Sequence, residues 1–298
     1  MTYIISAVSR PLLTVALVLA GLCGAGYGQQ AWAEVDAAQN ARNRISLAAR
    51  QRMLSQRMAK SACLSMVSVD AEVEARRAHD AATSFDEMLV SLAEGNAEQG
   101  LLKETYPDVR AGLARTAALS SGLTASVRQI AAGDLHTVVV WLMVSRNVPA
   151  LTEMNATMEL MEAHYGTAQI DPGIAAAIVL AGRQGMLSQK MVKELCFLSI
   201  GIGGADVREA LADTVDVFDT ALHRLFRGGK DGALGGKPKP KQRGQLRAVK
   251  KSWKPMKQML EEVVGGGEIT EEILRDAARQ SEVVLQEADA LVLLYTQD

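Results

Sequence analysis

Residues 45–64 read ISLAARQRMLSQRMAKSACL, and residues 178–197 read IVLAGRQGMLSQKMVKELCF. At a constant offset of 133, twelve of these twenty positions are identical, including Arg50, Gln51, Met53, Gln56, Lys60 and Cys63. The register persists downstream: Phe85-Asp86 faces Phe218-Asp219, and Gly95 faces Gly228. Leu151 to Ala156 then matches Leu285 to Ala290 with the offset slipped by one. Chance similarity does not hold one register across most of two halves, so the chain carries a tandem duplication.

Working outward, each copy shows four helical stretches. The repeated motif fills the first, at about 36–68 and about 173–201. The second carries Ala78, Ala82, Phe85, Leu89 and Leu92, matched by Leu211, Val215, Phe218, Leu222 and Leu225. Steps of alternately three and four place such residues on one stripe, the seam of a bundle. The fourth stretch repeats the pattern, with polar Asn147 and Ser281 in the same seam slot, a placement that reads as a register device. The third is clear in copy two, from Leu246 to Val263, where Pro255 predicts a kink. In copy one it is weaker, resting on Leu113, Leu123, Val127 and Ile130. Glycine and proline clusters fall between these stretches, and short turns between helices favour antiparallel packing. The expected fold is all-α: two tandem antiparallel four-helix bundle modules, residues 34–168 and 169–298, preceded by a signal peptide at 1–33.

Composition agrees. Aromatic residues make up 4% of the chain against 48% hydrophobic residues, and there are 13 methionines, which favours helices over sheet. The 34 acidic and 32 basic residues leave a charge of −2, which argues against nucleic acid as a partner. The leader carries Arg10, an apolar run from Leu12 to Leu22, and Ala31-Trp32-Ala33, a small-x-small triplet that predicts cleavage after Ala33. The alternative is an uncleaved membrane anchor, for which the run is short. The product is expected to be periplasmic or secreted. Cys63 and Cys196 then remain, read as two buried thiols filling small gaps, with a disulfide joining the halves as the alternative.

Catalytic and metal-binding constellations are missing. The four histidines form no i, i+3 or i+4 pair, no Cys-x-x-Cys-His occurs, and Gly235-Gly236-Lys237-Pro238 lacks the spacing of a phosphate loop. No enzyme activity and no cofactor are expected. The basic run from Lys230 to Lys251 reads as a solvated loop and helix start, with an anionic lipid or a partner as the alternative. The motif helix itself is apolar on two sides, with Leu47, Leu54 and Met58 opposite Ile45, Ala49, Arg52, Gln56 and Cys63. An arginine embedded among small residues needs a counter-charge. Glutamates on neighbouring helices would serve, and so would a small oxyanion held by charge-assisted hydrogen bonds.

The motif beginning at Ala48 and at Ala181 resembles the signature of the PilJ-type domain, the sensory N-terminal domain of type IV pili methyl-accepting chemotaxis transducers. It is also similar to the ligand-binding helix of nitrate and nitrite sensor kinases of the NarX/NarQ type. The resemblance implies a periplasmic helical sensor in which an Arg directly before a Met holds an oxyanion, often between two subunits. Here that pair is Arg52-Met53, with Arg50 and Gln56 as the other expected ligand-binding residues. The matching residues of copy two are Arg183, Gln184, Met186 and Gln189, but Gly185 replaces the arginine and puts binding there in doubt. No signalling region follows the last helix, so the expected protein is a free-standing sensor of a small anion such as nitrate or nitrite. It would work as a homodimer or with a membrane receptor partner. The alternative is an interaction protein of such a receptor or of a type IV pilus system.

Overall fold

Apolar residues spaced alternately by three and four are buried together only if the chain coils and the stripes of several helices meet. The computed structural model describes residues 36–166, 170–229, 234 and 236–297. The expected leader, its cleavage point after Ala33, and Lys230 lie outside these residues. Copy one contains α1 (Ala37–Met66), α2 (Ala71–Glu94), α3 (Pro107–Ala131) and α4 (Thr137–Tyr165). Copy two contains α5 (Pro172–Ser199), α6 (Gly204–Arg227), α7 (Pro240–Val264) and α8 (Glu271–Thr296). Among the described residues, the sheet-like pairing is confined to an isolated bridge between Asn96 and Leu101, and no helix is long and apolar enough to cross a membrane.

Local chemistry sets the helix ends. Asp171 accepts hydrogen bonds from the backbone N–H groups of Gly173 and Ile174, and Pro172 opens the first turn of α5. Gly95 and Gly228, equivalent positions after α2 and α6, adopt φ of +85° and +63°, a region that suits glycine. Two prolines lie inside helices. The kink expected at Pro255 does not end α7, which continues to Val264. Both Pro255 and Lys251 are exposed, so the Lys251 carbonyl left without its helical donor is open to water. The stretch that looked weak in copy one forms α3, which at 25 residues equals α7 in length.

In each copy, successive helices pack on one another and the fourth returns to the first, closing a four-helix bundle. The bundles lie side by side with α1 packed along α5, and the described residues form one compact unit. A Cβ placed on Gly182 would lie 2.8 Å from that of Ala49, so the two backbones approach closely there. Further along, Cys63 and Cys196 form a disulfide with 6.2 Å between their Cα atoms. This corrects the expectation of two separate thiols: each cysteine sits on the face of its motif helix that meets the other copy. Both contacts join residues 133 apart, so α1 and α5 run parallel in matched register about a pseudo-two-fold axis.

One buried cluster belongs to copy one alone. Arg44 Nη1 lies 2.8 Å from Glu104 Oε2, and Tyr165 donates to Glu104 Oε1 at 2.8 Å. The cluster pins the α2–α3 loop to α1 and to the end of α4.

The α1–α5 approach leads to a pair of opposed expectations. Gly182→Val should destabilise by about 1–3 kcal/mol, because the added carbons must force two helices apart. Gly244→Ala, in α7 where no neighbouring atom lies within 4 Å of the added carbon, should stabilise by about 0.5–1 kcal/mol. Chemical denaturation checks both; a neutral Gly182→Val would contradict the close approach.

Candidate functional site

The residues singled out in the motif point to three different places. Arg50 is exposed and lines a cleft of about 270 Å³ with Met53, Gly182 and Asp289. Gln56 is buried and accepts a hydrogen bond from Lys193. Arg52 turns towards α4. In copy two, Arg183 is exposed and lines a cleft of about 280 Å³ with Asp216, Thr220 and Arg224. Met186 is in the core, while Gln184 and Gln189 are buried with their Oε1 atoms unpartnered.

Arg52 is 7% exposed, and its Nη1 donates to Asn155 Oδ1 at 3.3 Å. Its Nε and Nη2 are buried with no hydrogen-bond partner. These two donors share one edge of the guanidinium, the edge that grips a planar or tetrahedral oxyanion through two parallel bonds. Burial lowers the Arg52 pKa to about 10, Glu162 opposes the fall, and Arg183 adds to it. Glu162 acts on Arg52 through space, as a charge rather than a hydrogen-bond acceptor. Its own carboxyl is pushed above the usual range by burial, with Arg52 opposing.

Copy two cannot repeat this arrangement. The counterpart of Arg52 is Gly185, where even a Cβ would lie 2.8 Å from Leu285 Cδ1 on α8. The counterpart of Asn155 is Asp289. The Leu285 side chain fills the space beside Gly185.

Two buried lysines at equivalent motif positions complete the interior. Lys60 donates from α1 to Ser281 at 3.4 Å and to Glu282 Oε1 at 2.6 Å, both on α8 of the other copy. Lys193 donates from α5 to Asn147 Oδ1 at 2.9 Å, on α4 of the other copy, and to Gln56 Oε1 at 2.8 Å. Each lysine thus crosses the seam to the polar residue that occupies the same slot in the opposite bundle. The sequence contained the signal, an identical lysine in both motifs and a polar residue in both seams, but not the crossing that joins them.

The symmetry fails at one residue. Glu282 pairs with both Lys60 and Arg57; burial alone would raise its carboxyl, but the two cations hold it below the usual range. Val148 stands at the equivalent place on α4, so the hydrogen bonds of Lys193 go to amide oxygens alone, with the Phe197 ring 5.8 Å away. Lys60 turns to Glu282, and Gln189 Oε1, the counterpart of the Gln56 acceptor, is left unpartnered. Among the described residues, no group of three His, Cys, Asp or Glu side chains could hold a metal ion.

Burial lowers the Lys193 pKa to about 8, from an ordinary 10.5. Between these values the unfolded chain binds a proton that the folded chain releases, so stability rises with pH through that window. Relative to Lys193→Met, the wild type should gain up to about 3 kcal/mol between pH 8 and 10.5. Urea unfolding of both proteins across that range checks the gain, and a difference unaffected by pH would contradict it.

The sequence profile of the PilJ family, type IV pili methyl-accepting chemotaxis transducer N-terminal domains, matches residues 35–138 and 168–281. The first stretch covers α1 to α3 and the second begins just before α5, so each copy is matched from its motif helix onward. A search of curated proteins found no match. The two matched stretches span well over half of the sequence, and the chain belongs to the PilJ family of chemotaxis-transducer sensory domains.

Proposed function

We propose that this chain is an exported sensory module that binds a small oxyanion between α1 and α4 and reports the event to a partner. The observation that carries the reading is the Arg52 guanidinium, buried with Nε and Nη2 free and with no carboxylate paired to it. A buried cation in this state is costly. An oxyanion such as nitrate or nitrite would neutralise it and satisfy both donors, with Asn155 holding the far side of the guanidinium. Arg50, Met53 and Gln56 would then act by shaping the motif helix rather than by touching the anion. Because Arg52 is nearly enclosed, an anion reaches it as α1 and α4 separate slightly. Binding would therefore select a shifted arrangement of these helices, which is how occupancy becomes a signal.

A second reading, an interaction protein without a ligand, is favoured by the outer face of α4. Val138, Trp141 and Val148 are more than 60% exposed there, a cost that a partner surface would remove. The equivalent positions on α8 are Glu272, Arg275 and Glu282. The two readings are compatible in one protein, and an anion response tests the first.

Thermal unfolding with nitrate, nitrite, sulfate and phosphate, against chloride at equal ionic strength, provides the test. An oxyanion at 100 times its dissociation constant adds about 2.7 kcal/mol, which in a chain of this size raises the melting temperature by about 5–10 °C. Arg52→Lys keeps the charge but loses the paired donors, and should abolish the rise. The gain should also grow as pH falls, since protonating Glu162 removes the negative charge that acts on the guanidinium. No response to any oxyanion, or an equal response in Arg52→Lys, would leave the interaction reading alone standing.

A further inference from the structure

The two copies began as one sequence, so a surface that differs in chemistry between them at matched positions has diverged since the duplication. One such difference lies between α6 and α7. A groove of about 470 Å³ opens there over Leu222, Phe226 and Trp253, and Arg247, Lys250, Lys251 and Lys254 stand on its rim. Both α3 and α7 are 25 residues long and begin at Pro107 and Pro240, so their positions correspond one to one. In copy one the four rim cations are Ala114, Ala117, Ala118 and Ser121, and Phe226 is Ala93. Trp253 likewise stands where copy one has Ser120, so copy two carries four cations and two aromatic rings around a site that in copy one is small and neutral.

The acidic side chain in the groove is already occupied. Asp219 accepts from Trp253 Nε1 at 2.6 Å and pairs with Lys257. Its counterpart Asp86 also pairs with a cation, Arg128 at 2.6 Å, although from a different position on the neighbouring helix. The four rim cations are exposed, and Lys250 Nζ stands 6.0 Å from the centre of the Phe226 ring. An apolar floor under an unneutralised cationic rim fits an organic molecule with an apolar body and an anionic head. A volume of about 470 Å³ is in the range of small-molecule sites.

We infer that the α6–α7 groove of copy two binds an amphipathic organic anion, a carboxylate or phosphate ester with an aliphatic or aromatic body. The floor takes the body and the lysines take the head. This site is separate from Arg52 and stands or falls without it.

The test uses the purified full chain with 1-anilinonaphthalene-8-sulfonate, a fluorescent aromatic sulfonate, at low ionic strength. The dye should bind, decanoate should displace it, and added salt should weaken both. Lys250→Glu/Lys254→Glu should weaken dye binding at least tenfold with an unchanged melting temperature. If that charge reversal lowers the melting temperature, Lys250→Ala/Lys254→Ala is read instead and should give a smaller loss of the same kind. Phe226→Ala, which restores the residue of copy one, should weaken decanoate with the rim charges intact. Unchanged dye affinity in both lysine variants would overturn the proposal. So would displacement by inorganic phosphate as effective as by decanoate, or binding to anionic phospholipid vesicles without binding of the soluble dye.

Discussion

The contact that everything else depends on is the close, parallel approach of α1 and α5. Two helices come this near only where side chains are small, and the motif provides Ala49 against Gly182. Matched register then follows from the duplication: what faces outward from one motif helix meets its own counterpart on the other. Cys63 and Cys196 meet for that reason, and the bond between them closes a loop of 133 residues that would otherwise cost the unfolded chain nothing. A motif that looks too polar for a bundle core is the shared wall of two bundles.

This shared wall explains why the motif residues have such unequal fates. A helix buried on one side can place its polar groups in water, whereas a helix buried nearly all round must find them partners. Lys60 and Lys193 find theirs across the seam, in the bundle that each does not belong to. Identical starting copies then drifted apart through single residues. Glu282 gave Lys60 a counter-ion where Val148 gives Lys193 none. Gly185 leaves room for the Leu285 side chain, while Arg52 has a guanidinium with two donors to spare. The copies now have one architecture and different chemistry.

Much of the architecture was legible in the residues. The offset of 133 exposed the repeat, the three–four spacing of Phe85, Leu89, Phe218 and Leu222 marked the seams, and Gly95 and Gly228 marked the turns. What escaped depends on contacts between copies, on which periodicity within one copy is silent. The helical stripe could place Cys63 on a buried face but not set Cys196 opposite it. Asn147 and Ser281 could be recognised as equivalent, but not as receivers for lysines from the other bundle. Arg52, Met53, Gln56 and Arg50 were grouped by the motif's resemblance to a sensor helix; on a helix walled on most sides, neighbours in the motif face different partners. The α6–α7 groove escaped because its rim was read as one run of positive charge rather than set against the alanines of copy one.

The in-register wall is tested most directly by thiol chemistry that does not depend on where the protein is made. The purified chain, first reduced and then oxidised with diamide in dilute solution, is digested without reduction and its cross-linked peptides are identified by mass spectrometry. A pairing of the motif helices along their length predicts one dominant product, an intramolecular link between Cys63 and Cys196. Two cysteines that stay open to alkylation, or that link separate chains, would contradict it.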